Sequence, residues 1–205
     1  MAALVVDALL PLSLLEGVRA VDRAIDDPDT ELVAELRNKR LGLSDTVLAQ
    51  IHRYGDAARR GERAAPDEVL ALARLIARRP DADVVFREAG RFLAATAYQT
   101  LGRAARRDAR RLPRLLARPL AVRAARRLAR RYLGGRVERA GTSLVLEVSR
   151  PLTVEAAPES TGCTFYGAGF AELLRLLVGD LAPLEHERCA GRGEGRCRWR
   201  VEWAR

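Results

Sequence analysis

Cys163, His186, Cys189 and Cys197 are the residues of this chain whose types and spacing together point to a specific chemistry. The three cysteines of the 205-residue sequence all fall between positions 163 and 197, with the histidine among them. Three thiolates and one imidazole make a tetrahedral donor set for zinc, with metal–ligand distances of about 2.0–2.3 Å. Four protein donors leave no open position, so such a site is structural and activates no water unless a ligand departs. The competing reading is of cysteines packed as small apolar residues in a core.

A metal would have to be held by elements that converge on it, and the sequence around each ligand suggests which ones. A strand is expected over about Leu184 to Cys189 and another from Cys197 to Trp203, where Cys197, Trp199, Val201 and Trp203 alternate with Arg198, Arg200 and Glu202. The glycine-rich turn from Ala190 to Gly195 folds the two into a hairpin and brings Cys189 beside Cys197. Cys163 precedes a helix whose Phe170, Leu173, Leu174 and Leu177 give the stripe that docks on a sheet. Upstream, Gly141 and Thr142 mark a hairpin between a strand around Val137 and the alternating run TSLVLEVSR, with Leu144, Leu146 and Val148 on one face.

The first half reads as helices. An apolar-periodic run covers 4–25 and ends at the turn Asp26, Asp27, Pro28, Asp29, and Thr30 opens a short second helix. That acidic turn could be imagined as a magnesium site, but helix-ending turns have this composition. Ser44 is a candidate N-cap for a helix to about Arg60, and Pro66 with Asp67 and Glu68 starts another that Pro80 ends. A long helix from about Ala82 to Asp108 carries Phe86, Leu93, Ala97 and Leu101 on one stripe. The class that emerges is α+β, with a helical N-terminal region followed by an antiparallel sheet packed with helices.

Net charge is +9, and its distribution is uneven. Residues 1–100 hold 14 basic and 16 acidic groups, 101–135 hold 12 and one, and 136–205 hold ten of each. The basic segment repeats leucine at helical spacing (Leu112, Leu116, Leu120, Leu128) and reads as two amphipathic helices broken at Pro119. Its arginines, over 103–131, could meet nucleic acid or an anionic membrane. Without interleaved aromatics or a nucleic-acid-binding signature, a solvated helix face in an arginine-rich chain is the expected reading. The apolar stretch near the N-terminus is shorter than the about 20 residues a membrane span needs, and three cysteines without an export signal favour reduced thiols in the cytoplasm.

The residues Gly162 to Phe170 (GCTFYGAGF), His186 to Cys189 (HERC) and Gly193 to Trp199 (GEGRCRW) resemble the 4-vinyl reductase domain. That family includes bacteriochlorophyll 4-vinyl reductase proteins and the aromatic-sensing domains of bacterial transcription activators, and its fold is similar to that of TRAPP-complex subunits. The spacings of 26 residues from Cys163 to Cys189 and eight from Cys189 to Cys197 fit its pattern. The resemblance covers about 82–203 and implies a small-molecule-binding domain over 81–205, to which the helical N-terminal region over 1–80 is an addition for interaction or homodimerisation. The family places glutamate three residues before the second cysteine, where this chain has His186. In a regular strand Glu187, not His186, would share the face of Cys189, so the fourth ligand is open between them, with His186 preferred if a bulge intervenes.

The resemblance further implies a small, largely apolar ligand pocket stiffened by zinc, for which Tyr98, Tyr132 and Leu184 are the candidate lining residues. Ordinary core packing is the alternative for each. Catalytic signatures are missing: there is no G-x-S-x-G elbow and no G-K-[ST] loop, Lys39 being the sole lysine, and His52 falls on a helix surface. The glycine run 191–195 joins strand to strand and lacks a helix start for phosphate. A non-catalytic sensory or carrier module for a hydrophobic or aromatic ligand is expected, with a tetrapyrrole-directed reductase or accessory factor as the alternative.

Overall fold

The computed structural model describes residues 6–24, 44–102, 114–157, 161–179 and 182–202. The expected Asp26–Asp29 turn, the helix from Thr30, residues 103–113 and Trp203 lie outside them. Seven α-helices and two antiparallel sheets make up the described part, an α+β fold.

Strand β1 (Val6–Asp7) leads into helix α1 (Leu9–Ala24), where Pro11 sits harmlessly in the first turn because its missing N–H would have had no helical partner there. Helix α2 (Asp45–Arg59) is capped by Ser44, whose hydroxyl accepts from the Val47 N–H at 3.3 Å. Strand β2 (Arg63–Ala64) pairs with β1, an element that two residues of sequence could not announce. Helix α3 (Pro66–Ala77) starts on its proline, and helix α4 (Ala82–Gln99) buries Val85, Phe86, Ala89, Leu93 and Ala97 as one stripe. At the α3–α4 corner Arg79 clasps the buried Asp22 of α1 (2.6 Å) and also Asp81 (2.7 Å). That carboxylate pair raises the Arg79 pKa further, chiefly through the Asp81 hydrogen bond.

Helix α5 (Arg114–Leu128) corrects the expected break at Pro119. The helix runs through the proline and then widens into a π-helical turn, Ala129–Leu133, closed by Gly134 in the left-handed region. One member of the expected leucine stripe is corrected too, while Leu128 is buried as expected. Leu120 is 48% exposed, and the buried line is Ala121, Ala125 and Leu128, so small side chains let α5 lie close to its neighbours.

Strands β3 (Gly135–Ala140) and β4 (Ser143–Val148) form the expected hairpin, with Arg139 opposite Leu144 and Val137 opposite Leu146. Helix α6 (Leu152–Ala156) and helix α7 (Cys163–Val178) follow, then edge strand β5 (Glu185–Arg188) and β6 (Cys197–Glu202). Sheet order is β3-β4-β6-β5, all antiparallel. One continuous buried cluster runs from Leu9 in α1 through α4 and α7 to Val201 in β6. At its centre α4 and α7 touch backbone to backbone, since a Cβ on Gly90 would lie 2.2 Å from the Phe165 carbonyl oxygen. That crossing fixes how far the first turn of α7 can reach toward the sheet.

Candidate metal centre

Cys163 is the first residue of α7, and its position is set from two sides. The Thr153 hydroxyl donates to the Gly162 carbonyl at 2.7 Å, and the Thr164 hydroxyl donates to the Asp83 carboxylate of α4 at 2.8 Å. No side chain fits at Gly162, where a Cβ would meet the Thr153 carbonyl oxygen at 2.2 Å. Cys197 opens β6 opposite Val148 of β4, so one thiol comes from the interior of the sheet. Between the last two cysteines a 3₁₀ turn (Ala190–Arg192) reverses the chain, with the Arg192 and Glu194 N–H groups both donating to the Cys189 carbonyl. The Glu194 carboxylate in turn accepts from the Cys189 N–H.

The fourth ligand is decided by a bulge. His186 pairs with Trp199 and Arg188 with Arg198, so Glu187 is the extra residue between them. In strands a slip of one residue reverses the faces of everything beyond it. His186 and Cys189 therefore share the face of Cys197 and Trp199, while Glu187 turns to the other side and binds Arg198 (2.9 Å) and Arg200 (2.5 Å). The imidazole lies flat on the Trp199 indole, with ring centres 4.8 Å apart and planes 8° from parallel.

All four donor atoms lie within 4.8 Å of one another. The Cys163 sulfur is 3.2 Å from that of Cys189 and 3.5 Å from that of Cys197. A disulfide bond would need about 2.05 Å, and all three cysteines are free thiols. A tetrahedron with metal–sulfur arms of about 2.3 Å would have sulfur–sulfur edges of about 3.8 Å, which a small outward shift of each thiol provides. The group could hold a metal ion.

Electrostatics favour the same conclusion. The Cys197 thiol is pulled down to about 7, first by the hydrogen bond from Cys163 and then, against the cost of burial, by the Ala190 N–H at 3.3 Å and nearby Arg192. Cys163 is pushed far up by serving as that donor and by its burial. Thiols in this contact cannot all ionise by themselves, because each thiolate opposes the next. A cation reverses that balance and makes deprotonation of every thiol favourable. Burial, helped by Arg192, also lowers the His186 pKa, which keeps its ring nitrogen free of a second proton and available as a donor.

Beside the metal group opens a cleft of about 650 Å³ between α7 and the β5–β6 edge. Cys163 and His186 form part of its wall, with Trp199, Leu184, Gly167 and Leu174 supplying apolar surface. Its rim arginines are already engaged: Arg87 with Asp83 (2.6 Å), Arg91 with Glu88 (2.7 Å) and Arg175 with Glu172 (2.7 Å). Of the residues expected to line a pocket, Leu184 faces this cleft. Tyr132 lines a different concavity, beside α5, and Tyr98 is buried within the α4 face and lines neither.

Sequence reasoning missed Glu194 as the cap of the Cys189 N–H and Trp199 as the platform for His186. The strand alternation that placed Trp199 on the Cys197 face was the available signal for the second. For the first there was none beyond an acid in a glycine-rich turn. No helix among the described residues is long and apolar enough to cross a membrane. No family model matches the chain, and no curated protein matches it.

Proposed function

We propose that the protein is a zinc-stabilised module of the 4-vinyl reductase domain type that binds a small hydrophobic or aromatic ligand, in a sensory or carrier role and without catalysis. The observation that carries the reading is that Cys163 and His186 belong both to the gathered donor set and to the wall of the apolar cleft. Zinc suits three thiolates and an imidazole in a closed set, and it would lock α7 to the β5–β6 hairpin. A clip of that kind offsets the destabilisation that an unfilled apolar cleft brings. The rim supports a neutral or weakly polar ligand, since its guanidinium groups are neutralised by adjacent carboxylates. Reduced thiols fit the cytoplasm, where they stay available to a metal, and the helices before α4 supply surface for a homodimer or another partner.

The reading is tested on purified, tag-free protein. Elemental analysis is expected to give one zinc per chain, and phenol or a chlorophyllide-like pigment is expected to change Trp199 fluorescence, with a Leu184→Arg variant losing the response but keeping the zinc. Zinc-free native protein would defeat the metal part, and fluorescence indifferent to both probes would defeat the ligand part. Bound pigment whose spectrum changes on adding reductant would replace the sensory reading with a tetrapyrrole-directed enzyme.

A further inference from the structure

On another side of the molecule the fold assembles a second concavity, of about 910 Å³, whose walls are arginine. Arg63 reaches it from β2, Arg126 and Arg127 from the end of α5, Arg130 and Arg131 from the π-helical turn, and Arg150 from the chain after β4. Three segments far apart in sequence therefore deliver six guanidinium groups to one place. The single carboxylate in the lining is Asp7, and it is fully occupied. One oxygen accepts from the Leu9 N–H at 3.1 Å and the other from Arg131 at 3.1 Å. Arg126 donates to the Val137 carbonyl at 3.1 Å. Arg63, Arg127, Arg130 and Arg150 have no ion-pair partner among the described residues. Leu10, Leu133, Tyr132 and Tyr166 are buried at the floor, so the charges stand over an apolar base.

We propose that this concavity is a binding site for a small anion bearing two or more phosphate groups. A solvated helix face explains arginines strung along α5, but not Arg63 and Arg150 arriving from other elements to face them across a hollow. Guanidinium forks match phosphate oxygens in pairs and stay charged at every physiological pH. Several of them on a low-dielectric floor focus a positive potential that a multiply charged ligand neutralises better than single chloride ions do. Volume fits too, since small-molecule sites commonly occupy about 300–1,000 Å³. The ligand chemistry can come from a free oligophosphate or from a phosphorylated lipid headgroup, and the test separates these.

The purified protein is titrated with inorganic tripolyphosphate by calorimetry at low salt, and its binding to vesicles of phosphatidylcholine with and without a phosphorylated inositol lipid is measured by sedimentation. The expected result is saturable micromolar binding of tripolyphosphate that Arg63→Gln/Arg150→Gln weakens at least about tenfold, with metal content unchanged. A control, Arg74→Gln/Arg78→Gln, removes the same charge from exposed positions on and just after α3 and is expected to bind as the parent does. Vesicle binding that tripolyphosphate displaces would identify the lipid headgroup as the source, and binding of the free anion alone would identify a soluble one. Absence of tripolyphosphate binding overturns the proposal. So does equal weakening by the control pair, or tight binding of a single-stranded oligonucleotide that ignores Arg63 and Arg150, either of which would mark a diffuse basic surface.

Discussion

The thiol corner and the arginine concavity each crowd groups of one kind into a small space, and they differ in how the chain tolerates it. At the corner the groups are acids that can stay protonated, and one proton shared between Cys163 and Cys197 leaves a single thiolate near neutrality. In the concavity the groups are guanidinium ions that cannot lose charge, so repulsion is relieved only by solvent, by Asp7 or by an anion. The three thiols of the corner are buried and brought together by backbone register, with all four donor atoms within 4.8 Å of one another. The concavity is open and its side chains are long, as suits a charge field acting over a Debye length of about 8–10 Å.

The largest test of this contrast is to break the corner. Replacing Cys189 or Cys197 with serine, or stripping the metal with a chelator, is expected to release α7 from the hairpin and lower the melting temperature by on the order of 10 °C or more, read by calorimetry. An unchanged melting temperature would mean that packing alone holds the corner. Next in size is the choice of fourth ligand. His186→Ala is expected to weaken metal affinity about 10–100-fold, whereas Glu187→Ala, which removes the half-buried ion pairs with Arg198 and Arg200 on the opposite face, should lower the melting temperature but leave the metal in place. Metal loss in the Glu187 variant alone would reverse the assignment made from the bulge.

A smaller effect concerns protons. In metal-free protein one thiolate is expected to appear in the ultraviolet as the pH rises through about 7, and Cys197→Ser should abolish that step. Because folding lowers this pKa from the ordinary value of 9.0, the Cys197 contribution to stability is complete above about 9 and is lost as the pH falls through about 7. The smallest effect lies across the molecule. Arg127→Gln/Arg130→Gln is expected to raise the melting temperature of ligand-free protein by about 1–3 °C at low salt, by relieving repulsion, and to leave it unchanged at high salt. A fall in melting temperature would show that those arginines are bound to something within the fold.

Much of the corner was legible because its signals are local. Ser44 capped the helix expected of it, Pro66 began the next, and the alternation of Cys197, Trp199 and Val201 gave both the strand and its inward face. Pro119 and Leu120 were misread for a reason that also is physical. A proline costs a helix only one hydrogen bond and some bending when neighbours hold it, and three alanines or leucines at similar spacing are equally periodic until packing selects one line. The backbone contact at Gly90 left no trace, since a glycine in a helix has the same appearance whether or not a second helix crosses it.

By itself the sequence determined which atoms could bind a metal, and through residue spacing and turn chemistry it determined the strands and helix that carry them. Those properties depend on φ/ψ preferences and on side-chain period, which act over a few residues. The tertiary structure alone decided that His186 and not Glu187 faces the cysteines, because the parity of an edge strand depends on how it registers with its neighbour. It alone decided that Arg63 and Arg150 join the helix arginines around one hollow, because bringing together positions dozens of residues apart is the work of the packed core.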